Sequence, residues 1–392
     1  MKIGIITMFY KTLNYGGILQ AYALLKALSK LHYQVDQINY SWRKEGFISR
    51  KLLKQEHFKS MGSLEKIKKI LLYISKKIIH KLHYRRVWCE EEKLNVRRNN
   101  FKQFSCQNVS SSYESYNSFN ISCIADKYDA FIVGSDQVWS EFSIDKGFSL
   151  DYASDDTKKI AYAASGIGKS ISFRHAEIFS RILPTFDAIS VREKHAVDLL
   201  QTMCDKKVKH VCDPVLLLSS FEWDEISFDR IVNDKYIFCY FLGEDKKFRK
   251  LAVEFGKKRG LKTVFIPYAK GKYCSADYKI GDYRIIDASP ADFISLIKNA
   301  EYVFTDSFHA CTFSTIYHKQ FFVFRRSDTG GIERIKNILE LSGAQEHLID
   351  EEEKLNSKYL ESVSDVSYVG VDVQIEKFRG SSIEFLKNAL KN

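Results

Sequence analysis

The sequence predicts an α/β protein built as two domains facing across a cleft. Three observations carry this expectation. A length of 392 residues is two to three times an ordinary domain of about 150 residues. Short β-branched or aromatic runs alternate with stretches of helical period along most of the chain, the pattern of parallel βαβ units. Polar clusters recur at the ends of those runs, where open α/β sheets hold their ligands.

Composition narrows the class further. With 45% hydrophobic and 28% charged residues, 22 Tyr and 28 Phe, the chain can bury ample core and is not disordered. Only 4 prolines and no repeated block argue against collagen-like, mucin-like and solenoid forms. No stretch approaches ~18 consecutive apolar residues, and Lys2 is the one charge in the first ten residues, so neither a transmembrane helix nor a signal peptide is expected. The 8 cysteines form no CxxC pair and no Cys/His ligand spacing. They read as reduced thiols of a cytoplasmic protein without a metal site.

The elements follow in order. Lys2 to Met8 reads as a strand, Asn14 to Gly17 as a glycine turn, and Leu19, Tyr22, Ala23, Leu25 and Leu28 as one face of a helix. Gln34 to Tyr40 supplies the next strand and completes a βαβ unit. A basic insertion spans about 43–100. Between Arg43 and Arg86 stand 14 Lys/Arg against 3 acids, an excess equal to the whole formal charge of +11. Within it Ile67, Ile70, Leu71, Ile74, Ile78 and Leu82 recur at helical spacing among Lys66, Lys68, Lys69, Lys76, Lys77 and Lys81, which predicts a basic amphipathic helix. Its apolar stripe fits either a core contact or an anionic membrane face. Nucleic acid is disfavoured, because few aromatics interleave with the charges.

Strands are then expected at Tyr128–Val133, Lys159–Ala164, Ala188–Val191 and Val208–Val211, with a helix over Ile171–Phe186. The second half continues the same alternation, with strands at Tyr236–Leu242, Lys262–Pro267, Tyr302–Thr305 and Gln320–Phe324, and helices at Lys246–Lys258, Ala291–Asn299 and from Ala310. The division this suggests is 1–216, 217–374 and a terminal helix in 375–392 that could cross back onto the first domain.

Three clusters and one single acid are candidates for chemistry. Gly168-Lys169-Ser170 resembles the end of a phosphate-binding P-loop, but the required first glycine is Ala163. Asp136 closes a strand and either orients hydroxyl groups or caps the next helix. Thr305-Asp306-Ser307-Phe308-His309 sets an acid, a hydroxyl and an imidazole between strand and helix. His309 there suits proton transfer near neutral pH, or equally a buried structural histidine. Arg325, Arg326, Gly330, Gly331 and Arg334 supply cations and flexible backbone suited to a phosphate or carboxylate, unless the loop is merely solvated.

Six tracts, taken in order, are similar to those of the polysaccharide pyruvyltransferase family: Tyr15-Gly16-Gly17 through Leu24, Val133 through Trp139, Tyr162 through Ser165, Ser190 through Glu193, Asp213 through Leu217, and Thr305 through His309. The resemblance spans nearly the whole chain outside the basic insertion. It implies a fold with two Rossmann-like domains of the GT-B kind and transfer of pyruvate from phosphoenolpyruvate to a sugar as a cyclic ketal, with no cofactor beyond that co-substrate. It implies His309 as general acid/base and Arg192 as a donor-binding residue; Asp136 is the second catalytic candidate, and Asn14, Tyr15, Gly16 and Gln137 are expected on the acceptor side. Where many members carry a second Arg, this chain has Ser307, leaving Arg325, Arg326 and Arg334 as substitutes on the donor side. The partners implied are phosphoenolpyruvate, a glycan acceptor of lipid-linked type and, for the basic helix, the inner face of the membrane. A nucleotide-sugar glycosyltransferase and a non-catalytic glycan- or membrane-binding member are the alternatives.

Overall fold

A computed structural model describes residues 1–42, 62–109, 114–141, 143–268, 275–326 and 331–391. Two six-stranded sheets form, and every described strand pairing is parallel. The first contains β1 (Lys2–Ile6), β2 (Gln34–Gln37), β3 (Ala130–Val133), β4 (Lys158–Ala164), β5 (Ala188–Val191) and β6 (Val208–His210), in the order β2-β1-β3-β4-β5-β6. The second contains β7 (Tyr236–Tyr240), β8 (Lys262–Phe265), β9 (Tyr283–Arg284), β10 (Tyr302–Thr305), β11 (Gln320–Phe324) and β12 (Leu348–Ile349), in the order β12-β11-β10-β7-β8-β9. Strand order therefore reverses between β1 and β3 in one sheet and between β7 and β10 in the other. Crevices open at such reversals, outside the carboxyl ends of the strands.

Among the described residues, the longer helices that cover the sheets are α1 (Tyr15–Lys30), α2 (Ser63–Asn108), α3 (Phe173–Ile182), α4 (Lys194–Gln201), α5 (Lys246–Arg259), α6 (Pro290–Lys298), α7 (Phe308–Ile316), α8 (Ile332–Ser342) and α9 (Val371–Leu390). The boundaries shift where local chemistry overrides periodicity. Ser172 accepts from the His175 amide and starts α3 two residues later than its apolar pattern suggests, and the helix gives way to a 3₁₀ turn at Leu183–Thr185, which holds Pro184. Ser307 caps α7, so that helix begins at Phe308 rather than Ala310 and draws His309 into its first turn.

The two halves share one apolar core. Tyr15, at the start of α1, stacks on Phe293 of α6 with ring centroids 4.7 Å apart, and its hydroxyl donates to the Ala288 carbonyl at 2.8 Å. α9 leaves the second half and packs on the first: the Cys212 amide donates to Ser382 Oγ at 2.9 Å, and Arg379 donates to the carbonyls of Leu216 and Leu218.

The described part of the basic insertion belongs to one 46-residue helix, α2. At ~1.5 Å per residue it runs about 70 Å. Its C-terminal part straps the second half, where Arg97, buried to 1% exposure, donates to the Pro267 carbonyl at 2.9 Å and Asn100 to the Asp287 carbonyl at 2.8 Å. Glu90 pairs with Arg284 at 2.7 Å. At the other end Ile67, Ile70, Leu71 and Ile74 remain 46–60% exposed, so these four do not meet the core. Residues 43–61 and the side chains of Ile78, Leu82 and the six lysines of the stripe lie outside the described residues.

Candidate active site

The reversal point of the first sheet is stitched by buried polar groups. Thr7 Oγ1 donates to the Ser135 carbonyl at 2.8 Å, and the fully buried Gln20 donates to Thr7 Oγ1 and the Gly17 carbonyl, both at 2.9 Å. The loop after β3 then holds Asp136 at φ 63° and ψ −170°, a conformation that non-glycine residues rarely adopt. Its side chain does not cap the following turn. That removes the capping role for Asp136, whose carboxylate instead lies 3.7 Å from Arg192.

Arg192, at the end of β5, is the centre of the cluster. Its guanidinium, 3% exposed, donates to Asp213 Oδ2 at 2.5 Å and Ser165 Oγ at 2.6 Å. Ser165 in turn donates to Glu193. Asp213 also accepts from the Val215 amide at 2.9 Å. Burial alone would raise the Asp213 carboxyl; Arg192 and His309 outweigh it and hold the group below its ordinary range.

The reversal point of the second sheet meets this cluster. Asp306, after β10, accepts from the Leu242 and Gly243 amides at 2.6 and 2.8 Å and so closes the β7–β10 gap. Three residues on, His309 Nε2 stands 3.8 Å from Asp213 Oδ2, too far for a hydrogen bond, and has no hydrogen-bond partner among the described residues. Against the ring lies Gly16 of α1, where a Cβ would fall 1.9 Å from His309 Nδ1. Burial, with Arg192 and Arg334 adding to it, depresses the imidazole to about 4 despite Asp213 and Asp136. It is neutral at pH 7.

The three arginines after β11 separate. Arg325 is exposed, and Arg326 turns toward Asp306, the two within electrostatic reach. Arg334 comes to the site: its guanidinium lies 5.7 Å from the Phe308 ring centre, and Arg192 lies 4.6 Å from the same ring. Burial and the neighbouring Arg192 push Arg334 down to about 10, which still leaves it charged near neutrality. Gly330 lies outside the described residues.

Other expectations are corrected. Tyr15 is 1% exposed with its hydroxyl committed to Ala288, which makes it a core residue instead of an acceptor contact. Ser307 Oγ accepts from the Ala310 amide, so it serves as a helix cap. In the Gly168-Lys169-Ser170 segment, Lys169 points outward, away from the cluster, and pairs with Glu333 at 3.1 Å. Asn14 and Gln137 are half-buried in the loops that leave β1 and β3. The sequence does not single out Asp213, Ser165 and Glu193 individually, although each lies at the end of a strand, where polar residues are the available signal.

A model of the family described as polysaccharide pyruvyl transferase matches residues 14–328. The chain belongs to that family. The match contains the strand ends that carry Asp136, Arg192, Asp213 and His309, whereas Arg334 lies beyond it. Solved structures share the two-domain GT-B-like arrangement. The UDP-GlcNAc 2-epimerase of Methanocaldococcus jannaschii, in complex with UDP-GlcNAc and UDP, is 14% identical with a TM-score of 0.51 over 100% of this chain and 99% of that one. A putative UDP-N-acetylglucosamine 2-epimerase from Listeria monocytogenes is 11% identical with a TM-score of 0.53 over 96% and 90%. The Neisseria meningitidis UDP-GlcNAc 2-epimerase bound to UDP-GlcNAc gives 12%, 0.51, 100% and 99%. At these identities the likeness is one of fold. No curated protein matches the chain.

Proposed function

We propose that this family member transfers pyruvate from phosphoenolpyruvate to two hydroxyls of a sugar, forming a cyclic ketal and releasing phosphate. One observation carries the reading: two guanidiniums, Arg192 and Arg334, converge over Phe308 beside a neutral imidazole whose Nε2 has no hydrogen-bond partner among the described residues, at the meeting of both strand reversals. Phosphoenolpyruvate carries a carboxylate and a phosphate, and paired arginines suit such groups. Arg334 takes the place of the cation missing at Ser307.

The chemistry needs one proton relay. A sugar hydroxyl attacks C2 of the donor while its proton ends on C3, turning the methylene into a methyl group. A second hydroxyl then forms the other C–O bond as the bond from C2 to the phosphate oxygen breaks, and its proton leaves with hydrogen phosphate. His309, neutral at pH 7, accepts the first hydroxyl proton and returns it to carbon. Such a positioned group contributes about 10² to 10⁴ in rate. Asp136 orients the acceptor hydroxyls from the opposite loop, with Gln137 and Asn14 beside it. No cofactor is needed.

The acceptor on this reading is a lipid-linked precursor of a surface polysaccharide, and α2 brings the enzyme to it. Ile67, Ile70, Leu71 and Ile74 are exposed on a helix whose surrounding sequence carries the entire net charge. Among the described residues no helix is long and apolar enough to cross a membrane. An exposed apolar stripe flanked by lysines is the pattern of a helix lying on an anionic bilayer surface.

Incubating the protein with phosphoenolpyruvate and lipid-linked glycan tests the function. Acceptor-dependent phosphate release with a new ketal carbon in the product spectrum is expected. Turnover of a nucleotide sugar with no consumption of phosphoenolpyruvate would replace this reading with the glycosyltransferase one.

A further inference from the structure

A cavity of about 270 Å³ lies beside Arg192, and His309 is not part of its lining. Arg192, Lys194 and Asp213 line it from the first half, Arg334 and Asn337 from α8, and Gln374 and Phe378 from α9. Arg334, Asn337, Ile338 and Leu341 follow helical spacing, so a single face of α8 forms one wall. Three buried polar atoms in this lining have no partner among the described residues: Arg192 Nε, Arg334 Nε and Asn337 Nδ2. All three are N–H donors. Arg192 is itself 3% exposed. Buried donors left unpaired are unfavourable, and here the unmet need is for an acceptor. Of the carboxylates at the cavity, Asp213 is already engaged by Arg192, Val215 and Ser135, and Glu340 is exposed at the rim.

We propose that this cavity is the phosphoryl pocket of the donor, with Asn337 and Lys194 as binding residues and α9 as its outer wall. The assignment rests on the function proposed above and adds a direction to it. The donor lies across Arg192, its phosphate held by Arg334, Asn337 and Lys194, its enol carbons toward His309. Phosphate then departs on the side away from the acceptor. The volume suits a small anion and falls below the roughly 300 to 1,000 Å³ of pockets for larger ligands, which disfavours a nucleoside diphosphate sugar. Arg334, Asn337, Gln374 and Phe378 all lie outside the family match at 14–328, so this wall belongs to the chain's own C-terminal segment.

Inorganic phosphate is the probe. Calorimetry on the full chain should show phosphate binding, and kinetics should show competition with phosphoenolpyruvate. Asn337→Leu removes one hydrogen bond to a charged group and should weaken phosphate binding roughly 10- to 100-fold while raising KM for the donor more than it lowers kcat. Asn337→Asp, nearly isosteric, sets a negative charge against the anion and should abolish binding with the melting temperature little changed. Phosphate binding retained by both variants overturns the pocket assignment and leaves pyruvyl transfer standing. Loss of phosphate binding in both, with no turnover of phosphoenolpyruvate by the wild type, keeps the anion pocket and overturns the transfer reading. UDP binding tighter than phosphate, and abolished by Asn337→Asp, overturns the choice of a single phosphoryl group.

Discussion

Gly16 shows how one missing methyl group makes room for an imidazole. Alanine normally favours a helix over glycine by about 1 kcal/mol. At this position an added Cβ would occupy the imidazole's space, 1.9 Å from His309 Nδ1. Gly16→Ala should therefore lower pyruvyl transfer about as far as His309→Gln, by ~10² to 10⁴, with a melting temperature near that of the wild type. Steady-state rates and calorimetric melts of both variants would check this. Arg192→Ala should behave differently. It leaves the buried Asp213 carboxylate without its guanidinium counter-charge, and such breakage is destabilising by about 3 to 5 kcal/mol, so urea unfolding should report the loss as clearly as donor affinity does. His309 also sets a pH dependence. Its imidazole is held near 4 when folded and titrates near 6.5 when unfolded, so the unfolded chain binds the extra proton in between. Stability should fall as pH drops from 6.5 toward 4, and His309→Gln should flatten that part of the profile in urea midpoints. Sequence points to His309 and Arg192 but cannot separate Arg334 from Arg325 and Arg326, because their difference is which of them a helical face turns toward Arg192. Tyr15 departs from its expected role for a related reason: an aromatic residue beside a glycine turn has the same local pattern whether it meets a ligand or the facing domain.

At the level of elements, α2 behaves as two helices joined end to end. One part straps the domains and the other exposes its apolar stripe. Arg97→Met keeps the aliphatic stem but leaves the Pro267 and Ile285 carbonyls without their donor, so it should lower stability by about 1 to 3 kcal/mol, read as a melting shift. Replacing Ile67 and Leu71 together with Ser should leave the melt unchanged and reduce sedimentation with vesicles rich in anionic lipid. A wild type that ignores such vesicles at low salt but dimerises through these residues would make the stripe an interface between copies. The helical period of α2 is plain in the sequence. Its continuation to Asn108 and its strap are not, since Arg97 and Asn100 look like ordinary surface residues until Pro267 and Asp287 are placed opposite them. β9 and β12 escape for a simpler reason: two residues each are too few to show a period.

For the whole molecule, the two strand reversals explain why the polar tracts, scattered over three hundred residues, make one site. Parallel topology fixes where each sheet opens, and the shared core of α1, α6 and α7 fixes how the openings face. The two-domain architecture is therefore legible from alternating strands and helices, whereas the facing of His309 and Arg192 depends on packing between distant segments. The charge distribution adds a prediction at this scale. Vesicle binding should weaken steeply between low salt and about 0.15 M, where the screening length is ~8 Å, while turnover of a soluble acceptor stays nearly constant.

The return of α9 to the first half has a consequence for how the protein is made. Phe385 packs near Tyr162 of β4, and Ser382 satisfies the Cys212 amide just past β6, so the first sheet lacks part of its cover until residues 371–390 have been synthesised. The N-terminal half emerges from the ribosome first yet is completed last. During that interval it presents an apolar face and an unsatisfied amide, the features that recruit chaperones or invite association between nascent chains.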